Sequence, residues 1–110
     1  MKAYWVGIAA TTTALMFAGQ ASAADAEAGK TFFNKSACKG CHSEEYEGFG
    51  PALQAISQKY AGVAGAKESL VNKIKNGSKG VWGDNAMPAQ KGAASDENIS
   101  AAVDYILSLK

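Results

Sequence analysis

Cys38 and Cys41 stand three positions apart, and His42 follows the second of them. Two thiols at that spacing on one turn can each bond a vinyl group of the same porphyrin as thioethers. The next side chain is then placed to offer an imidazole nitrogen to the porphyrin's iron. The pattern C-x-x-C-H is the attachment signature for c-type haem. Two other chemistries use the same residue types. A thioredoxin-type dithiol sits in an alternating strand and helix pattern, which this chain lacks. A structural zinc takes about four Cys or His ligands, whereas the chain beyond residue 23 offers Cys38, Cys41 and His42. The residues therefore point to one covalently attached haem c, and so to iron.

The second axial ligand follows by elimination. Met87 is the one methionine beyond residue 23, and His42 is the one histidine. A methionine is most often core filling, but Met87 lies in a glycine-rich stretch rather than on a helix face. Pro88 fixes its own backbone and restricts that of Met87, which helps hold a thioether at a set angle. An open iron position, or a lysine such as Lys79 or Lys91, is the alternative. Ligation by His42 and Met87 requires the two to face each other across a porphyrin-sized gap. A thioether ligand raises the reduction potential. With both axial positions filled, small substrates are kept from the metal, which favours an electron-transfer protein over an enzyme or gas carrier.

Four segments read as helix and none as a convincing strand. The first runs from about Asp25 to Ser36, with Asp25 and Glu27 in the first turn, where acidic groups suit the helix dipole. Phe32 and Phe33 supply its apolar contacts. The second starts near Pro51, a residue favoured at the first helical position, and carries Leu53, Ile56 and Tyr60 at spacings of three and four. The third covers roughly Ala66 to Asn76, with Leu70, Val71 and Ile74 on one face and Gly77 as its stop. The fourth opens at Ser95 as N-cap, with Asp96 and Glu97 next and an apolar stripe of Ile99, Ala102, Val103 and Ile106. Residues 43–50 read as loop. Residues 77–94 form a long connection of the kind that is usually functional when it lacks structure of its own. It holds Trp82 and Met87, bulky residues that a solvated loop does not normally carry.

The first 23 residues have the layout of a secretory signal peptide. Lys2 gives a positive start, Tyr4 to Ala18 is a mostly apolar run, and Ala21-Ser22-Ala23 supplies small residues for cleavage after Ala23, or one residue on at Ala24. A membrane anchor is the alternative, but the run is shorter than the roughly 20 residues needed to span a bilayer. The expectation is removal of 1–23 and a single periplasmic domain over 24–110, with no stable membrane insertion afterwards. So small a domain calls for a staple, and a bridge between Cys38 and Cys41 closes too small a loop to serve. The chain has 11 Lys and Arg against 10 Asp and Glu, with no basic block of the kind that binds nucleic acid. Lys67, Lys73, Lys75, Lys79 and Lys91 crowd the second half, opposite an acidic group at Glu44, Glu45 and Glu47; ordinary solvated surface is an equal reading of both.

Beyond the haem motif, several stretches match a known pattern: Gly29-Lys30 with Phe33, Gly50-Pro51-Ala52, Lys59-Tyr60-Ala61-Gly62, Ile74-Lys75-Asn76-Gly77, Gly80-Val81-Trp82-Gly83, Met87-Pro88 and Tyr105-Ile106-Leu107-Ser108-Leu109. In these the chain resembles the small bacterial class I cytochromes c, and most closely the cytochrome c-551 and c-552 group. The resemblance implies an all-α fold of four to five helices wrapped around one covalently bound haem, with Gly29 and Phe33 against the Tyr105 region where the first and last helices cross. It implies that the Pro51 carbonyl accepts a hydrogen bond from the ring nitrogen of His42 that faces away from the iron, and that Trp82 donates to a haem propionate; simple core packing is the alternative for Trp82. It implies a monomeric shuttle taking electrons from a donor such as the bc complex and passing them to a terminal oxidase, a peroxidase or a nitrite reductase. Docking would be through a haem edge ringed by some of Lys67, Lys73, Lys79 and Lys91. The chain departs from the family at Ala86 before Met87, at Ala89-Gln90 after Pro88, and in a longer Lys91-Gly92-Ala93-Ala94 run, changes that bear on the stiffness of the ligand loop. The cytochrome c5 group is also similar in this stretch, but its extra cysteine pair is missing here.

Overall fold

The computed structural model describes residues 23–109. Residues 1–22 of the proposed signal peptide fall outside these residues, and the expected cut after Ala23 falls at the first residue of α1. Four α-helices follow in order: α1 (Ala23–Lys35), α2 (Leu53–Tyr60), α3 (Ala66–Asn76) and α4 (Asp96–Ser108), with a 3-10 turn at Ala37–Gly40 between α1 and α2. The all-α expectation holds. Among the described residues the extended pairing is limited to two isolated bridges, Ser78 with Met87 and Lys91 with Ala94.

α4 is the centre of the fold. It contacts α1, α2 and α3, and five successive residues, Ala102 to Ile106, are buried. Its start is set locally: Ser95 Oγ accepts from the Asn98 amide, and Asp96 and Glu97 lie in the first turn, satisfying free N–H groups and the dipole. α1 crosses α4 so closely that a Cβ at Gly29 would stand 1.9 Å from the Ala101 carbonyl oxygen. Only a residue without a side chain permits that approach. Next to it Phe33 and Tyr105 pack with ring centroids 6.0 Å apart, tilted at 51°, an arrangement aromatic pairs favour. The crossing expected at Gly29, Phe33 and Tyr105 is therefore present.

Phe33, Leu53, Ile56, Leu70, Val103, Tyr105 and Ile106 form the core, and Cys38 packs against it. Ser57 Oγ donates to the Leu109 carbonyl, fastening the end of α4 to α2. A buried carboxylate, Asp104, is met by Lys67 of α3: Nζ lies 2.9 Å from Oδ1 and donates to Oδ2 at 3.1 Å. Lys67 thus leaves the surface lysine set, because its charge offsets a carboxylate that is 2% exposed. α3 ends as expected at Gly77. α2 begins later than its proline suggested: Ala52 is the N-cap and Leu53 the first helical residue, leaving Pro51 outside the helix and its carbonyl free for another partner.

Candidate haem-binding site

The 3-10 turn presents the two thiols. Ser36 caps it, its hydroxyl accepting from the Cys38 amide. The amides of Cys41 and His42 both donate to the Cys38 carbonyl, at 3.1 and 3.0 Å. Both cysteines are free thiols, Cys38 half-buried and Cys41 exposed.

His42 is fixed by the segment that follows. Its Nδ1 lies 2.7 Å from the Pro51 carbonyl oxygen. A carbonyl only accepts, so Nδ1 carries a proton; in the neutral ring Nε2 then has the lone pair an iron ligand requires. Gly50 lies flat on the ring: a Cβ there would stand 2.7 Å from Cε1 and 3.0 Å from Nδ1. The loop that brings Gly50 and Pro51 into place is closed by the Gly50 amide donating to the Cys41 carbonyl at 2.9 Å. It continues through the amides of Leu53 and Gln54, which donate to the carbonyls of Ser43 and Glu44 at 2.9 and 3.0 Å.

The segment 77–94 has more structure than its composition suggested. Ser78 and Met87 exchange both backbone bonds, at 3.1 and 2.8 Å. Gly77 makes this possible: its φ of +88° suits glycine, and a Cβ would meet the Met87 carbonyl at 3.0 Å. The amides of Gln90 and Lys91 then donate to the Ile74 and Lys75 carbonyls at 2.9 and 3.1 Å, satisfying free carbonyls at the end of α3. Met87 is half-buried in this clamped turn. Trp82 is 40% exposed, and Lys59 Nζ stands 5.5 Å from its ring centroid. Phe49 and Val81, the latter beside Trp82 in sequence, are exposed as well, apolar surface of the kind that a flat apolar group covers.

A cavity of about 260 Å³ touches His42, but it is not the expected gap between His42 and Met87. It is lined by Lys30, Phe33, Asn34, Lys39, His42, Ser43, Glu44 and Tyr105, on the side of α1 and α4. There Tyr105 Oη donates to Glu44 Oε2 at 2.9 Å. Burial first, and then the Glu44 carboxylate, push the Tyr105 phenol from 10.0 up to about 12. Sequence reasoning missed this pair and the Lys67–Asp104 pair. Among the described residues no group of three His, Cys, Asp or Glu is placed to hold a metal ion by itself.

Two adjacent thiols on one turn, a histidine with its tautomer set by a carbonyl, and a clamped methionine loop on an all-helical frame define a protein built to hold a porphyrin covalently. The cytochrome c family profile matches residues 26–110, and the chain belongs to that family. Cytochrome c-552 of Nitrosomonas europaea is 44% identical over 110 residues, the whole of both chains. Cytochrome c-551 of Stutzerimonas stutzeri is 40% identical over 77% of this chain and 80% of its own. The crystal structure of the wild-type Nitrosomonas europaea cytochrome c552 superposes with a TM-score of 0.69 at 42% identity, covering 74% of this chain and 99% of that one. The chain is thus a small class I cytochrome c of an electron-carrier family, with one covalent haem c.

Proposed function

We propose that this protein is a periplasmic shuttle for single electrons, its domain spanning 24–110 after removal of residues 1–23. Cys38 and Cys41 would hold the haem as thioethers, and His42 Nε2 and the Met87 sulfur would be the two protein ligands of its iron. When bound, the haem supplies one-electron chemistry, its iron alternating between ferrous and ferric states. The observation that carries the reading is the 2.7 Å contact of His42 Nδ1 with the Pro51 carbonyl, which leaves Nε2 as a ready donor one residue from the second thiol. Pro51 therefore orients the ligand histidine. Trp82 holds a propionate through its indole N–H, which has no hydrogen-bond partner among the described residues. Of the surface lysines, Lys73, Lys79 and Lys91 carry no ion pair among the described residues and are free to attract a negatively charged partner in brief, steered contacts. Donor and acceptor are a bc-type complex and an oxidase, peroxidase or nitrite reductase. Among the described residues no helix is long and apolar enough to cross a membrane.

The test is spectroscopic. Protein recovered from the periplasm should yield a peptide with haem on both Cys38 and Cys41. Its ferric form should show the weak far-red absorption of an iron–thioether bond, and Met87→Ala should abolish that band. Rapid carbon monoxide binding by the reduced, unsubstituted protein would refute the two-ligand reading.

A further inference from the structure

The segments that carry His42 and Met87 are separately well tied to the frame. The Gly50–Pro51 segment is held to the 3-10 turn and α2; the Met87 turn is held to the end of α3. Among the described residues, one hydrogen bond joins the two directly: Asn85 Nδ2 donates to the Phe49 carbonyl at 3.1 Å. Asn85 is two residues before Met87, and Phe49 is two residues before Pro51, whose carbonyl orients His42.

We propose that Asn85 is a positioning residue, a clasp that keeps the Met87 turn closed against the segment that orients His42. The inference rests on the reading of His42 and Met87 as the two iron ligands. Its logic is mechanical. The bonds of Gln90 and Lys91 to α3 fix the C-terminal end of the turn, and the Ser78–Met87 exchange fixes its width. Neither restrains the turn from swinging outward as a unit about the end of α3. A side-chain amide reaching across to Phe49 does, because it acts at the far end of the turn from that pivot. A carbonyl acceptor suits asparagine specifically: the amide nitrogen donates, while the isosteric carboxylate of aspartate only accepts and would face the Phe49 oxygen with like charge. Asn85 is exposed, so its replacement leaves the core intact.

The experiment uses the holoprotein and imidazole, which competes with a protein sulfur for ferric iron. Asn85→Ala and Asn85→Asp are expected to bind imidazole roughly three- to tenfold more tightly than the parent, the factor one net protein hydrogen bond supplies. Their folding constants should fall by no more than that same factor, and amide hydrogen exchange at Met87 should be faster by a similar factor. Gln90→Ala is the comparison. It removes an equally exposed bond, Gln90 Nε2 to the Pro88 carbonyl at 3.1 Å, that stays within the loop, and it should leave imidazole affinity within about twofold of the parent, since no cross-segment bond is lost. Parent-like affinity in both Asn85 variants, or an equal change in Gln90→Ala, overturns the clasp. Absence of the far-red band from the unsubstituted protein would instead overturn the ligand reading, and exchange at the Met87 amide would still decide whether Asn85 holds the turn.

Discussion

Tyr105→Phe offers a measurable account of the proximal cavity. The phenol is buried against Phe33 and donates to Glu44 at 2.9 Å, and it holds its proton up to about 12 rather than 10.0. A folded state that keeps a proton the unfolded chain releases is favoured below the unfolded value and loses that advantage as pH rises to the folded one. The parent should therefore lose roughly 2.7 kcal/mol of stability between about pH 10 and 12 through this group, at about 1.36 kcal/mol for each tenfold change in proton concentration. Tyr105→Phe has no such group and should lack this part of the slope. At pH 7 it should be less stable by about 1.5 kcal/mol, because a half-buried carboxylate loses a charge-assisted partner. The two effects cancel near pH 11, where parent and variant should have about equal stability. Denaturant unfolding at pH 7, 10, 11 and 12 tests this, with tyrosinate absorbance identifying the late-titrating ring. Parallel stability profiles for the two proteins from pH 10 to 12 would refute the reasoning.

Further substitutions probe the frame at two places. Gly29→Ala places a methyl 1.9 Å from the Ala101 carbonyl, so α1 and α4 must part by about 1.5 Å to restore ordinary contact; a loss of about 2–3 kcal/mol in denaturant unfolding is expected. Lys67→Met should cost about 2–4 kcal/mol by leaving Asp104 buried without its cation, whereas Lys67→Met with Asp104→Leu should recover most of that loss. Thermal or denaturant unfolding of the single and double variants distinguishes these outcomes.

The helices were legible wherever burial is one-sided and the ends are chemically marked. Ser95 capped α4 and Gly77 stopped α3 as their residue types require, and Gly29 with Phe33 marked the helix crossing. Three things were hidden, each for its own reason. The 3-10 turn over Ala37–Gly40 is four residues long, too short to display a period. Pro51 satisfied the rule for a helix start but serves outside the helix, where its carbonyl orients His42. The partners in long-range polar contacts leave no local signal at all: nothing near Asp104 names Lys67, nothing near Tyr105 names Glu44, and nothing near Asn85 names Phe49. Asp104 could have been suspected, since it interrupts a buried run on α4, but its partner lies 37 positions away. In the candidate site, Cys38, Cys41 and His42 were visible as types at fixed spacing and Met87 by elimination; the backbone clamps around them were not, because backbone bonds carry no side-chain signature.

The crossing of the first and last helices also sets an order of assembly. A chain emerging from its N-terminus carries Phe33 out early, and the surface that covers it arrives only with Tyr105, near the end. Until then the thiols at 38 and 41 ride on an open polypeptide, within reach of whatever machinery joins them to a porphyrin. Because distant segments must meet before the core can shut, attachment has its opportunity first and closure comes last.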